Sequence, residues 1–448
     1  MGDAEAPQAR PVSEALLPLA MAALTLAGIL AGYRVALVLA GVSALFILLS
    51  GLPLAYFNLL TSRIYANVLS NWLLVAVPMF IFMGLVLEKT GVAERSLRAA
   101  QGALGGSAAG MGLSVLVIGV LLAASSGIVG ASVVLLALLA LPRLAEAGYD
   151  KPTSAGLIAA SGTLAILIPP SVMLIVLGDQ LQTPVPDMFA GAIGPGLLLV
   201  VVYGLWVAFR ARGLPRAPAR GAGLGAALRT LLDLVPLLAL IVAVLGSIIA
   251  GLATPTEASR LGAFGACLVA ALYRRFDWRV IFAAAKQTVI TTSMVLMVMI
   301  GATCFSAVFK AIGGDDLVEA GITAFGTEPL TVLAVVMGAI FLLGFVLDWL
   351  EITLILMPIF APIVAGLDFG NGLSGEALMV WFGILVAVNL QTSFLTPPFG
   401  FSLFYLRGAA GGALTTPEIY RGVLPFIALQ LLVLGLIIAF PVIVTGLI

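Results

Sequence analysis

Four stretches of this chain carry polar side chains inside apolar surroundings, and their residue types suit one kind of chemistry. The first is Ser125-Ser126-Gly127, with Gly130 and Ser132 just after it. The second runs from Ser161-Gly162-Thr163 to Pro169-Pro170-Ser171. The third is Asp348-Trp349-Leu350-Glu351, followed by Thr353, and the fourth runs from Asn389-Leu390-Gln391-Thr392-Ser393 to Thr396-Pro397-Pro398. Hydroxyl, carboxylate and unwound carbonyl oxygens suit a dehydrated Na⁺. The N-terminus of a half-helix offers free N–H groups and a partial positive charge to an anion. Covalent catalysis fits poorly, because the chain has no histidine and so no His-based triad or histidine metal site. No nucleotide-binding motif is present, and Cys267 and Cys304 sit in apolar runs as small hydrophobes.

The surroundings explain what must position these residues. Hydrophobic residues make up 62% of the 448 and charged ones 9%, against roughly 25% charged in soluble domains. Apolar runs of about 20 residues, enough to cross a bilayer, recur from end to end. The expected fold is therefore an all-α polytopic membrane protein. Ten crossings can be drawn, at about 15–31, 34–50, 72–88, 152–182, 187–209, 230–251, 257–273, 287–309, 377–407 and 418–447. Two further stretches, 111–142 and 330–365, have polar or small residues at their middles and read as re-entrant hairpins. For the first, arms of about 12 residues reach ~18 Å, over half of the ~30 Å hydrocarbon core. The stretch 52–71, containing Arg63, reads as an amphipathic surface helix. The N-terminal tail, 1–14, lacks a basic region and is not read as a cleaved signal.

With the N-terminus outside, this topology places 17 of the 21 lysines and arginines on the inner side, and only Arg10, Arg63, Arg260 and Lys310 outside. That asymmetry is what the positive-inside rule requires, and drawing either hairpin as one crossing would spoil it. The basic linker 210–229 then separates two halves, 15–209 and 230–448, with five crossings each, so the halves are inverted. Ile168-Pro169-Pro170 recurs 228 residues later as Thr396-Pro397-Pro398. Pro186-Asp187-Met188-Phe189-Ala190-Gly191 recurs 231 later as Pro417-Glu418-Ile419-Tyr420-Arg421-Gly422.

Inverted repeats with broken helices at matching positions point to a secondary transporter, with its site near the midplane. Irregular backbone survives at that depth only where it lines a cavity or is buried in protein. Each hairpin tip with its neighbouring break is expected to make one ion site, with the substrate between the two. Isolated Ser or Gly residues in such helices serve packing; the repeated Pro-Pro breaks are what single these out. Asp348 and Glu351 are the acids placed deep in the membrane, where carboxylates are costly and usually functional. Asp348 reads as a sodium ligand, a proton carrier or a cap on the hairpin arm, and Glu351 as structural or gating. An aspartyl membrane protease would need two facing aspartates, so an enzyme is not expected.

The runs SSGIVGASVV, AGYDKPTSAGLIAASGTLAILIPPS, DWLEITLILMPIFAP and NLQTSFLTPPFGFSLFYLRG resemble the large membrane subunit of tripartite ATP-independent periplasmic (TRAP) transporters, over about residues 15–447. The resemblance implies an elevator-type Na⁺ symporter in the bacterial inner membrane. It also implies a small four-helix membrane subunit and a periplasmic binding protein that delivers an organic acid. Sodium sites would map to Ser125, Ser126, Gly127, Ser161 and Gly162 in one half, and to Asp348, Asn389, Thr392 and Thr396 in the other. The remaining break residues, Thr163, Pro169, Pro170, Ser171, Gln391, Ser393, Pro397 and Pro398, are the expected substrate contacts. Na⁺ is the coupling ion, and no cofactor or transition metal is implied. Trp-Leu-Glu after Asp348, and Gln391-Thr392-Ser393, depart from the common family pattern and suggest the branch associated with 2-oxo acids. No extra four-helix block precedes residue 15, so the small subunit is expected as a separate chain. The runner-up is a proton-coupled organic-anion transporter working without a binding protein.

Overall fold

The computed structural model describes residues 12–448 except 93–94, 96–98, 100–106, 127–128, 215–223 and 371. Gly127, most of the N-terminal tail and the middle of the basic linker therefore lie outside the described residues. Every regular element described is helical, and six helices among them are long and apolar enough to cross a bilayer. The other expected crossings are shorter apolar helices, such as Val35–Leu49, helices interrupted midway, or, for 257–273, the uninterrupted 18-residue helix Pro255–Leu272, which is not among the six.

Contacts divide the chain into two compact units. One takes residues up to Asn71 with Ser293–Ala339 and Leu350–Gly372; the other takes Trp72–Thr292, Ile340–Trp349 and Leu373–Ile448. Each unit draws on both sides of the basic linker, which sequence order alone does not foretell. Within the first unit, Gly301 lies against the Ala36 carbonyl, where a Cβ would come within 2.6 Å. Tyr56 on the surface helix Tyr56–Ile64 donates to Ala307 O at 2.9 Å. Lys310 donates to Pro358 O at 2.9 Å and pairs with Asp315 at 3.5 Å.

The second unit holds both Pro-Pro breaks. The helix Lys151–Thr163 starts at Asp150, whose side chain accepts from Thr153 N at 3.2 Å. Arg210 pairs with the same carboxylate at 3.0 Å. Burial pushes the Asp150 carboxyl up, but the Thr153 hydrogen bonds and the Arg210 guanidinium outweigh it and hold it below its ordinary value. This helix crosses Thr416–Ala439 at Gly156 and Gly422, where a Cβ on either glycine would collide with the other helix's backbone. Gly422 closes the repeated motif seen in the sequence. Its place in that motif has a physical reason: small residues let membrane helices touch backbone to backbone.

The first expected hairpin is a pair of helices, Ala108–Ser126 and Val129–Glu146. Their lengths, 19 and 18 residues, correct the expected 12-residue arms. Small residues such as Ala123 and Ala124 continue the first helix up to the serines, and Pro142 and Arg143 do not end the second. At 1.5 Å per residue both reach about 27–29 Å. Arm length therefore does not separate a hairpin from a crossing, and the re-entrant reading rests on where the arginines and lysines fall. The second expected hairpin consists of Pro329–Leu343 and Trp349–Ala365, joined by the turn that holds Asp348.

Candidate functional site

The two breaks are built alike. In the first, the helix Lys151–Thr163 tightens through Leu164–Ile166, unwinds, and resumes as Val172–Leu181. In the second, Gly375–Leu395 ends at Thr396, whose backbone is extended, and Phe401–Ala409 follows. The Pro169-Pro170 and Pro397-Pro398 bonds are both cis. A serine closes each gap: Ser171 Oγ donates to Ile166 O, and Ser402 Oγ donates to Phe394 O, both at 2.6 Å. Ile166 and Phe394 are 228 residues apart, as the Pro-Pro pairs are, while Ser171 and Ser402 are 231 apart. The second break therefore carries three additional residues, Phe399-Gly400-Phe401, between its prolines and its closing serine. They are accommodated by packing: Phe401 meets Phe394 edge-on at 5.3 Å, and a Cβ on Gly400 would lie 2.5 Å from Phe394 O.

Hydroxyl geometry decides what these breaks can bind. Thr163 Oγ1 donates to Ala160 O, Thr392 Oγ1 to Val388 O, Ser393 Oγ to Leu390 O and Thr396 Oγ1 to Thr392 O, at 2.7–2.9 Å. Each hydroxyl has thus spent its proton on its own helix and presents only lone pairs outward. Oxygens so arranged suit a cation or a hydrogen-bond donor.

One contact joins the breaks: Gln391 Nε2 donates to Thr163 Oγ1 at 3.4 Å, a long hydrogen bond. These residues are also 228 apart. Gln391 Oε1 and Ser161 Oγ, on residues with no exposed surface, have no hydrogen-bond partner. Such groups cost about 1–3 kcal/mol each unless something satisfies them. Glycines bring neighbouring elements onto this spot. A Cβ on Gly119 would sit 2.5 Å from Ser161 Cβ, one on Gly162 would collide with Val133, and one on Gly344 with Ser393 Oγ.

Of the other expected residues, Asn389 is buried on the second broken helix. Pro169, Pro170 and Ser171 are buried, Thr396 and Pro397 half-buried, and Pro398 exposed. The prolines of the first break are thus more buried than those of the second. Ser125 and Ser126 end the helix Ala108–Ser126, and their side chains lie outside the described residues, as does Gly127. Asp348 is half-buried directly before the helix Trp349–Ala365 and accepts from Trp349 N at 2.8 Å. Glu351, three residues on, is buried and belongs to the first compact unit. Tyr405, absent from the sequence reading, lies against Gly130, and the charge of Asp348 acts on its phenol. Its signal was an aromatic within FSLFYLRG, indistinguishable there from a packing residue.

A family model for the tripartite ATP-independent periplasmic transporter, DctM component, matches residues 19–443. The chain belongs to this family. This TRAP large permease is 30% identical over 389 residues to the isethionate TRAP transporter permease protein DctMQ of Oleidesulfovibrio alaskensis, covering 86% of this chain and 58% of that protein. It is 31% identical to the ectoine large permease TeaC of Halomonas elongata, covering 82% and 84% of the two chains. It is 29% identical to the C4-dicarboxylate large permease DctM of Pseudomonas aeruginosa, covering 83% and 85%. Among solved structures, the YdaH transporter of Alcanivorax borkumensis superimposes with a TM-score of 0.62 at 18% identity, over 96% of this chain and 98% of that one. That likeness concerns the fold alone. Membership makes the permease a multi-pass inner-membrane component of a solute transporter and not an enzyme.

Proposed function

We propose that this permease drives sodium-coupled uptake of a small organic acid, a 2-oxo acid or a related carboxylate. A periplasmic binding protein delivers the acid, and a small four-helix membrane subunit completes the complex. The two halves are inverted repeats, each with a re-entrant hairpin and a broken helix, and they carry the site across the membrane as an elevator.

The observation that carries this reading is the meeting of the two breaks at Thr163 and Gln391, with the orphaned oxygens of Ser161 and Gln391 buried there. A dehydrated Na⁺ needs such oxygens, and a helix-packing role leaves their desolvation uncompensated. Sodium is held by Ser161 and Gly162 with the first hairpin tip, Ser125, Ser126 and Gly127, and by Asp348 with Asn389, Thr392 and Thr396. The acid lies between, against Thr163, Gln391, Ser393, Ser171 and the prolines 169, 170, 397 and 398. With sodium bound, positive charge next to Asp348 offsets the repulsion that an anionic substrate would meet.

The test is uptake by proteoliposomes containing both membrane subunits, with and without binding protein and a sodium gradient, using labelled pyruvate, 2-oxobutyrate and succinate. Uptake should need both the binding protein and sodium. Asp348→Asn, which keeps shape and removes charge, should abolish sodium-driven uptake at every pH. Uptake driven by a pH gradient and indifferent to sodium would replace this reading with the proton-coupled one.

A further inference from the structure

We propose that Tyr405 is a substrate-contacting residue whose ring is seated on Gly130 and whose hydroxyl donates to the carboxylate of the transported acid. The proposal rests on the organic-acid reading above and adds a residue to its site. Tyr405 stands on Phe401–Ala409, the helix that follows the second break. Its ring lies over Gly130, so that a Cβ there would come within 2.9–3.0 Å of three ring atoms. Gly130 is the second residue of the helix Val129–Glu146, three positions after Gly127 in the sequence. Asp348, at the turn of the second hairpin, is close enough to act electrostatically on the same phenol. One aromatic side chain thus packs on the second arm of the first hairpin and stands within electrostatic range of Asp348 at the turn of the second.

The phenol has capacity to spare. The side chain is 47% exposed, and its hydroxyl has no hydrogen-bond partner among the described residues. Thr396 and Pro397 are half-buried and Pro398 exposed, as the phenol is in part. The hydroxyls of Thr163, Thr392, Ser393 and Thr396 give their protons to their own helices; a tyrosine hydroxyl with its proton free can donate to an anion without adding charge. Its O–H···O⁻ bond belongs to the stronger class of hydrogen bonds. Gly130 sets where that donor stands, because any larger residue would push the ring away.

Tyr405→Phe tests this while keeping the ring on Gly130. In proteoliposomes of the full complex at saturating loaded binding protein, uptake of whichever of pyruvate, 2-oxobutyrate or succinate the wild type carries should fall about ten- to a hundredfold, as expected for a lost hydrogen bond to a charged group. The sodium concentration for half-maximal uptake should be unchanged. So should the thermal stabilisation that sodium alone gives the detergent-solubilised two-subunit complex. Uptake within about twofold of wild type would overturn the proposal. Loss of sodium stabilisation would also overturn it, placing the hydroxyl in the ion site or the fold. Failure of the wild type to carry any of the three acids with sodium would instead overturn the parent reading.

Discussion

At the scale of single residues, the informative feature is a group that no protein partner satisfies. Ser161 has no exposed surface, and its hydroxyl oxygen is unpartnered. Removing such a group should relieve a desolvation cost of about 1–3 kcal/mol in the ion-free protein. Ser161→Ala should therefore melt no lower than the wild-type complex in sodium-free buffer, and yet lose a large part of its stabilisation by sodium. Thermal melts with and without sodium measure both quantities. A lower melting point in sodium-free buffer would make Ser161 an ordinary packing residue. The serines, threonines and the lone deep aspartate were legible in the sequence because apolar surroundings made each polar residue conspicuous. Tyr405 was not, since an aromatic in an apolar helix gives no sign of what its ring covers. Gly119 and Gly344 were also unread: a glycine's importance lies in the neighbour it admits, and that neighbour is distant in sequence.

At the scale of elements, the breaks explain themselves as closed turns. Each ends with a serine that hands its proton to a carbonyl before the gap, which replaces a backbone bond that proline cannot make. The second gap holds three more residues in the same closure, and that extra chain fits only because Gly400 lies against Phe394 O. Gly400→Ala should disorder the second break alone. We expect sodium-driven uptake to fall by at least an order of magnitude, with the small subunit still co-purifying. The strained contact involves backbone, so the cost belongs to the overpacking range of roughly 1–3 kcal/mol. Full uptake in that variant would show that the break tolerates rearrangement. The positions of both breaks were readable from Pro-Pro pairs alone. Their different lengths were present in the shift of repeat offset from 228 to 231, but only the two serine closures locate the insertion.

At the scale of the whole molecule, the charge distribution and the contacts report different things. Lysines and arginines tend to mark the loops that stay inside, and by that rule an inverted pair of halves divided at the basic linker is expected from the sequence. Contacts yield two compact units that each take pieces from both halves. No periodicity or composition shift marks those seams, because the same apolar helix suits either unit; Trp278–Ala311 passes from one to the other without interruption. The orientation is testable directly. A cysteine at position 221, in the linker and outside the described residues, should react with an impermeant thiol reagent only in inside-out vesicles. Labelling in intact cells would reverse the topology and every inside assignment with it.

The contact between Thr163 and Gln391 has a historical side. If the proposed repeat arose by joining two copies of a half-length ancestor, these positions descend from one residue, and their contact marks the two-fold axis. In a symmetric dimer of that ancestor, the residue on the axis met its own copy. Two threonines there could share one hydrogen bond but would leave the space of a glutamine empty. Two glutamines would crowd each other. A threonine facing a glutamine fits only after fusion has let the two copies mutate independently. On that premise the pair would mark where the two copies stopped being identical at the centre of the molecule.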